Sequence, residues 1–205
     1  MSILTTTLVA EGSSDRVLIP LLQTLLSELC ERPLSATAFA GSMIPPSVNL
    51  RRRIERSLDL FPCEILFVHR DADGPNYSAR EDEIRRAMSG MPKTPQCVCV
   101  VPVRMTEAWL LTQEAPIRQA VGNPHGTMAL GLPPLARIES IPDPKEQLLK
   151  IMTKATNLNS RRSRRFVPEQ HRHKVGELTL DIDSLRKLPS FARLEANLKT
   201  YFSVQ

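Results

Sequence analysis

The chain has 205 residues, 41% hydrophobic and 24% charged, which is enough apolar material for a buried core and excludes a disordered tail. Its 27 Lys/Arg against 22 Asp/Glu leave a formal net charge of +5, and no apolar run approaches the ~20 residues that a membrane-spanning helix needs. Four cysteines, at 30, 63, 97 and 99, form no CxxC pair, so they read as small buried side chains of a reducing, cytoplasmic setting rather than as a disulfide framework.

In chain order, the opening residues carry no basic stretch before Glu11, so no signal peptide is expected. Leu4 to Ala10 is rich in β-branched residues and reads as a strand, closed by Glu11-Gly12. Ser13 or Ser14 caps a helix from Asp15 to about Glu31, with six leucines on its apolar face and Pro20 expected to kink or delay it. A short strand over 35–40 follows, then a helix over 48–60 that carries Arg51, Arg52, Arg53 and Arg56. Glu64 to His69 is an apolar run between polar flanks, as in a buried parallel strand, and it stops at Asp71-Ala72-Asp73-Gly74. A charged helix over 79–88 precedes another buried strand, Cys97 to Val101, ended by Pro102.

This β-α-β-α-β-α-β order predicts an α/β fold over 1–105, a parallel sheet flanked by helices. Beyond it the pattern turns helical: short helices over 106–113 and 115–121, a Gly/Pro-rich loop over 122–134, and a helix from Pro144, capped by Asp143, to about Ala155. Amphipathic segments over 180–188 and 190–202 close the chain. Residues 106–205 are therefore expected as a mostly helical, basic extension packed on the core. Charge divides the same way. Residues 1–110 hold 12 Lys/Arg and 13 Asp/Glu, whereas 111–205 hold 15 and 9. The window 150–174 alone has eight cations against Glu169, a pattern that suits a polyanionic partner unless it is a solvated loop.

The acids fall at strand ends. In open parallel sheets ligands sit beyond the carboxyl ends of the strands. Glu11 closes the first strand, with Asp15 four residues on; Asp71 and Asp73 follow the third; Glu107 follows the fourth. Carboxylates gathered there repel unless a cation sits among them, and oxygen donors without His or Cys favour Mg²⁺ or Mn²⁺. Period-two alternation would aim Asp71 and Asp73 at one ion if the strand conformation persists, and Gly12 permits a tight turn near a phosphate. An apolar strand followed by DxD also occurs in aspartate-nucleophile phosphatases and sugar-nucleotide transferases. The absence of GxxxxGK[ST] excludes an autonomous P-loop ATPase. The histidines are dispersed, so His171 and His173 read as solvated or phosphate-facing rather than as zinc ligands. Trp109, inside an apolar helix, reads as core.

Glu11-Gly12 in LVAEGSSD and Asp71-Ala72-Asp73 in LFVHRDADG resemble the TOPRIM fold shared by topoisomerases, primases and OLD-family nucleases. The Glu11…Asp15 spacing resembles the OLD version. VPVRMTEAWLL, DPKEQLLK and LRKLPSFARLEANL resemble a family of small bacterial TOPRIM-like proteins associated with ABC- or OLD-type ATPases in anti-phage defence. The resemblance implies a Mg²⁺- or Mn²⁺-dependent nuclease acting on DNA or RNA, an effector working with such an ATPase. It implies a catalytic or metal role for Glu11, Asp71 and Asp73, a metal role for Asp15 and Glu107, and Lys145 as a cation near the scissile phosphate. Arg51, Arg52, Arg161, Arg162, Arg164 and Arg165 are the expected phosphate contacts. Two departures stand out: His69-Arg70 place cations just before the Asp pair, and Ser13-Ser14 replace the Pro-Thr frequent in relatives. The alternatives are a non-catalytic partner-binding module, or a phosphatase using Asp71 with a downstream pair, Asp181 and Asp183.

Overall fold

Strand β1 (Thr6–Val9) lies inside a four-stranded sheet because both of its faces are apolar or β-branched and all four residues are buried. The computed structural model describes residues 2–41, 44, 48–92 and 94–203. After β1 come a 3₁₀ turn (Ser13–Val17), α1 (Leu18–Leu29), β2 (Ala38–Phe39), α2 (Leu50–Leu60), β3 (Ile65–His69), α3 (Ser78–Met88) and β4 (Gln96–Val100). All pairings are parallel and the strand order is β2-β1-β3-β4. Thr6 aligns with Ile65 and Val68 with Cys99. The order reverses between β1 and β3, the switch point at which open α/β sheets bind ligands.

Alternation along the strands divides the core. Leu8, Phe67, Val98 and Val100 face α1, whose Leu18, Leu21, Leu22, Leu25 and Leu26 are all buried. Val9, Leu66 and Val68 face the other way, onto Ile54 of α2 and Ile84 of α3. Pro20 is the third residue of α1, where no intrahelical N–H bond is owed, so the expected delay takes the form of the 3₁₀ turn. The strand expected over 35–40 shortens to two residues, leaving β2 a minimal edge. Arg53, grouped by sequence with phosphate-facing arginines, is instead buried and donates from Nη1 to the Ala10 carbonyl at 3.1 Å. It braces the end of β1, since burial of an arginine is tolerable only with such partners.

The second half is helical: α4 (Glu107–Leu110), α5 (Glu114–Ala120), α6 (Leu135–Ile138), α7 (Pro144–Ala155), α8 (Ser160–Ser163), α9 (Arg172–Leu178), α10 (Asp183–Arg186) and α11 (Pro189–Ser203). Asp143 caps α7 by accepting from the Glu146 N–H at 2.8 Å. This half completes the α1 side of the core rather than forming its own, since its buried apolar residues join one cluster with the leucines of α1. Trp109 is fully buried, edge-on to Phe191 at 5.1 Å, and donates from Nε1 to Ser190 Oγ at 2.8 Å. Helix α9 lies so close to the 3₁₀ turn that a Cβ on Gly176 would meet the Val17 carbonyl oxygen at 2.6 Å. The four cysteines are free thiols and only partly buried, more open than the sequence suggested. Among the described residues no helix is long and apolar enough to cross a membrane.

Candidate functional site at the sheet switch point

Beyond β1 the chain turns at Gly12, whose N–H donates to Asp15 Oδ2 at 3.0 Å and so brings Asp15 back over the strand end. Beside it, His69 ends β3 and is 2% exposed. Its ring lies between two carboxylates, with Nε2 3.2 Å from Asp71 Oδ1 and Nδ1 3.6 Å from Asp15 Oδ2. The longer separation is a charge contact rather than a hydrogen bond. Burial opposes the imidazolium, yet the contacts with Asp15 and Asp71 outweigh it and push the pKa of His69 up to about 9. Burial likewise works against ionised Asp15, but His69, the Gly12 N–H and the Ser14 hydroxyl together hold it below the usual carboxylate range. Asp71 Oδ1 also accepts from the Thr106 backbone N–H at 3.0 Å, which ties the end of β3 to the loop after β4.

Glu107 opens α4 as a buried carboxylate and accepts from the Arg172 guanidinium of α9. Asp15, Asp71, Glu107, Lys145 and Arg172 line one cleft of about 180 Å³. A neighbouring hollow of about 280 Å³ shares Ser14, Val17 and Arg172 with it and adds Arg16 and His173. Four residues singled out by sequence thus meet: Asp15, Asp71, Glu107 and Lys145.

Glu11 and Asp73 lie elsewhere. Glu11, 48% exposed, is held by Arg70, which also reaches Glu83 of α3 at 3.2 Å. Asp73 has a left-handed φ of 55°. That conformation ends the period-two alternation, so Asp71 and Asp73 do not face one point as expected; Asp73 pairs with Arg80 at 2.7 Å. Glu11 and Asp73 therefore belong to an Arg70–Glu83–Arg80 network outside the cleft. The donor chemistry suits a hard ion, but each acid of the expected metal set already has an internal cation. Among the described residues no three His, Cys, Asp or Glu side chains are placed to hold a metal ion.

Of the expected phosphate contacts, Arg51 pairs with Glu55 at 3.0 Å and donates to the Ser89 carbonyl at 2.8 Å, while Arg52 is exposed. Arg162, Arg164 and Arg165 are exposed at and after α8, and the side chain of Arg161 lies outside the described residues. Helix α2 packs on one face of the sheet, and α9, which follows these arginines, joins the core of the other. Asp181 and Asp183 do not line the cleft; Asp183 pairs with Arg186 at 2.7 Å. Thr106 and Arg172 are the site residues that sequence reasoning did not place there, and His69 was expected only as a cation just before the Asp pair, not as the ring between Asp15 and Asp71. HRDAD held a signal for His69, a histidine ending a buried strand next to acids, whereas Arg172 lies 65 positions from Glu107 with no local sign of the pairing. No protein-family model, curated protein or solved structure matches the chain.

Proposed function

We propose that the protein is a phosphodiester hydrolase of TOPRIM type acting on DNA or RNA with Mg²⁺ or Mn²⁺. One observation carries the reading: carboxylates and cations from five separate segments line a single cleft at the β1/β3 switch point. Lys145 and Arg172 are the groups suited to phosphate oxygens, and Asp71, fixed by Thr106 and His69, is suited to accept a hydrogen bond from the attacking water. His69 is a positioning residue, its charge set between Asp15 and Asp71. The metal requirement comes from the TOPRIM resemblance and from the carboxylate chemistry, and it demands that Glu11 and Asp73 leave Arg70 and Arg80. The same reading includes an ABC- or OLD-type ATPase as partner in anti-phage defence, with exposed Arg162, Arg164 and Arg165 facing nucleic acid or that partner.

The test uses duplex DNA, total tRNA and a generic phosphomonoester, each with Mg²⁺, Mn²⁺ or EDTA. Metal-dependent cleavage of a nucleic acid, abolished in Asp71→Asn and Glu11→Gln, is the expected result. Phosphate release from the monoester that survives Glu11→Gln, without cleavage of either polymer, would overturn it in favour of phosphatase chemistry.

A further inference from the structure

Away from the acid cleft, strand β4 forms one edge of the sheet and carries two thiols, Cys97 and Cys99. Being two positions apart, they project from the same face. Both line a hollow of about 440 Å³ walled by Arg85 and Met88 of α3 and by Asn197 and Thr200 of α11. Cys63 opens onto a different hollow, beside Leu58 and Pro95.

A disulfide between Cys97 and Cys99 conflicts with the strand. Their Cβ atoms repeat at about 6.6 Å along β4, whereas a disulfide holds them at about 3.5–4.5 Å. Closing that gap would pull β4 off β3, where Cys97 aligns with Leu66 and Cys99 with Val68. An ion seated between the sulfurs asks for no such collapse. Thiolates select soft metals, which excludes Mg²⁺ and Ca²⁺. Structural zinc takes four ligands, and among the described residues no group of three or more His, Cys, Asp or Glu is placed to supply even three.

We propose that Cys97 and Cys99 form a two-thiolate site for a soft monovalent cation, Cu(I), independent of the phosphodiester chemistry. Binding forms two S–Cu bonds and releases both thiol protons, with no change of oxidation state. The resulting complex carries a single negative charge in a hollow walled in part by Arg85, which itself pairs with Glu81 at 3.0 Å and Asp82 at 2.9 Å.

The full chain is titrated with Cu(I) under anaerobic, reducing conditions against the chromophoric chelator bicinchoninate. The wild type should take one Cu(I) per chain, Cys97→Ser and Cys99→Ser should each lose it, and Cys30→Ser should keep it. A second measurement needs no variant: Cu(I) should shield Cys97 and Cys99 of the wild type from iodoacetamide, leaving Cys30 and Cys63 to be alkylated, as read by peptide mass. No one-to-one binding by the wild type, retained binding after both β4 cysteines are replaced, or shielding of Cys30 or Cys63 instead would each overturn the proposal.

Discussion

Replacing His69 by Gln removes the cation set between Asp15 and Asp71 while keeping a polar side chain of similar length. In the folded protein the imidazole titrates at about 9, against 6.5 for a free histidine, so the native state binds that proton more tightly than the unfolded chain. This preference is worth about 3 kcal/mol at 1.36 kcal/mol per pH unit, undiminished by solvent because the ring is fully enclosed. Because the folded value lies above the unfolded one, the stabilisation is fully present below pH 6.5 and is lost as pH rises through 9. Urea unfolding followed by circular dichroism from about pH 6 to about pH 10 measures it, wild type beside His69→Gln. The stability gap between the two should narrow by about 3 kcal/mol across that window. Thiols that titrate in the same range are common to both proteins and cancel in the difference. A gap that stays constant with pH would refute a charged His69 between the two carboxylates.

Trp109→Ala should cost about 3–5 kcal/mol by urea denaturation, and because Trp109 belongs to one core cluster with the leucines of α1 and the sheet, the loss should appear in one transition rather than two. Arg172→Met leaves Glu107 buried without its cation and should cost about 3–5 kcal/mol; adding Glu107→Gln should return part of it, and simple additivity in the double-mutant cycle would contradict the pairing. Under the nuclease reading, serine at 162, 164 and 165 should weaken nucleic-acid binding and lower the slope of log K against log salt by about one for each phosphate no longer neutralised. An unchanged slope would mark those arginines as merely solvated.

Much of the frame was legible because burial on both faces leaves continuous apolar runs, as in ILFVH and the TTLV of β1. Helix α7 was equally legible, since Asp143 and Pro144 are local start signals. Helix α6 was not: its four residues sit in a Pro/Leu-rich stretch too short to show a period. At the site, sequence reasoning found the acids but not their directions. Extended alternation would have aimed Asp73 with Asp71, and a single left-handed residue turned it to Arg80 instead. Glu11 was captured by Arg70, a neighbour across the sheet and 59 positions away along the chain. Such choices belong to tertiary packing and leave no local periodicity to read.

The dependence of buried Glu107 on Arg172 has a consequence for synthesis. Translation proceeds at about 5–20 residues per second, so the 65 positions between them take about 3 to 13 s to appear. During that interval the emerging chain holds an acid it has no means of burying, and α4 cannot settle beneath the sheet with its carboxylate matched. The leucines of α1 meanwhile lack Phe191, which joins their core cluster only once α11 is made. The nascent protein therefore has an incomplete cleft and is adhesive along α1 until the last helices arrive, the stage at which a chaperone would have something to hold.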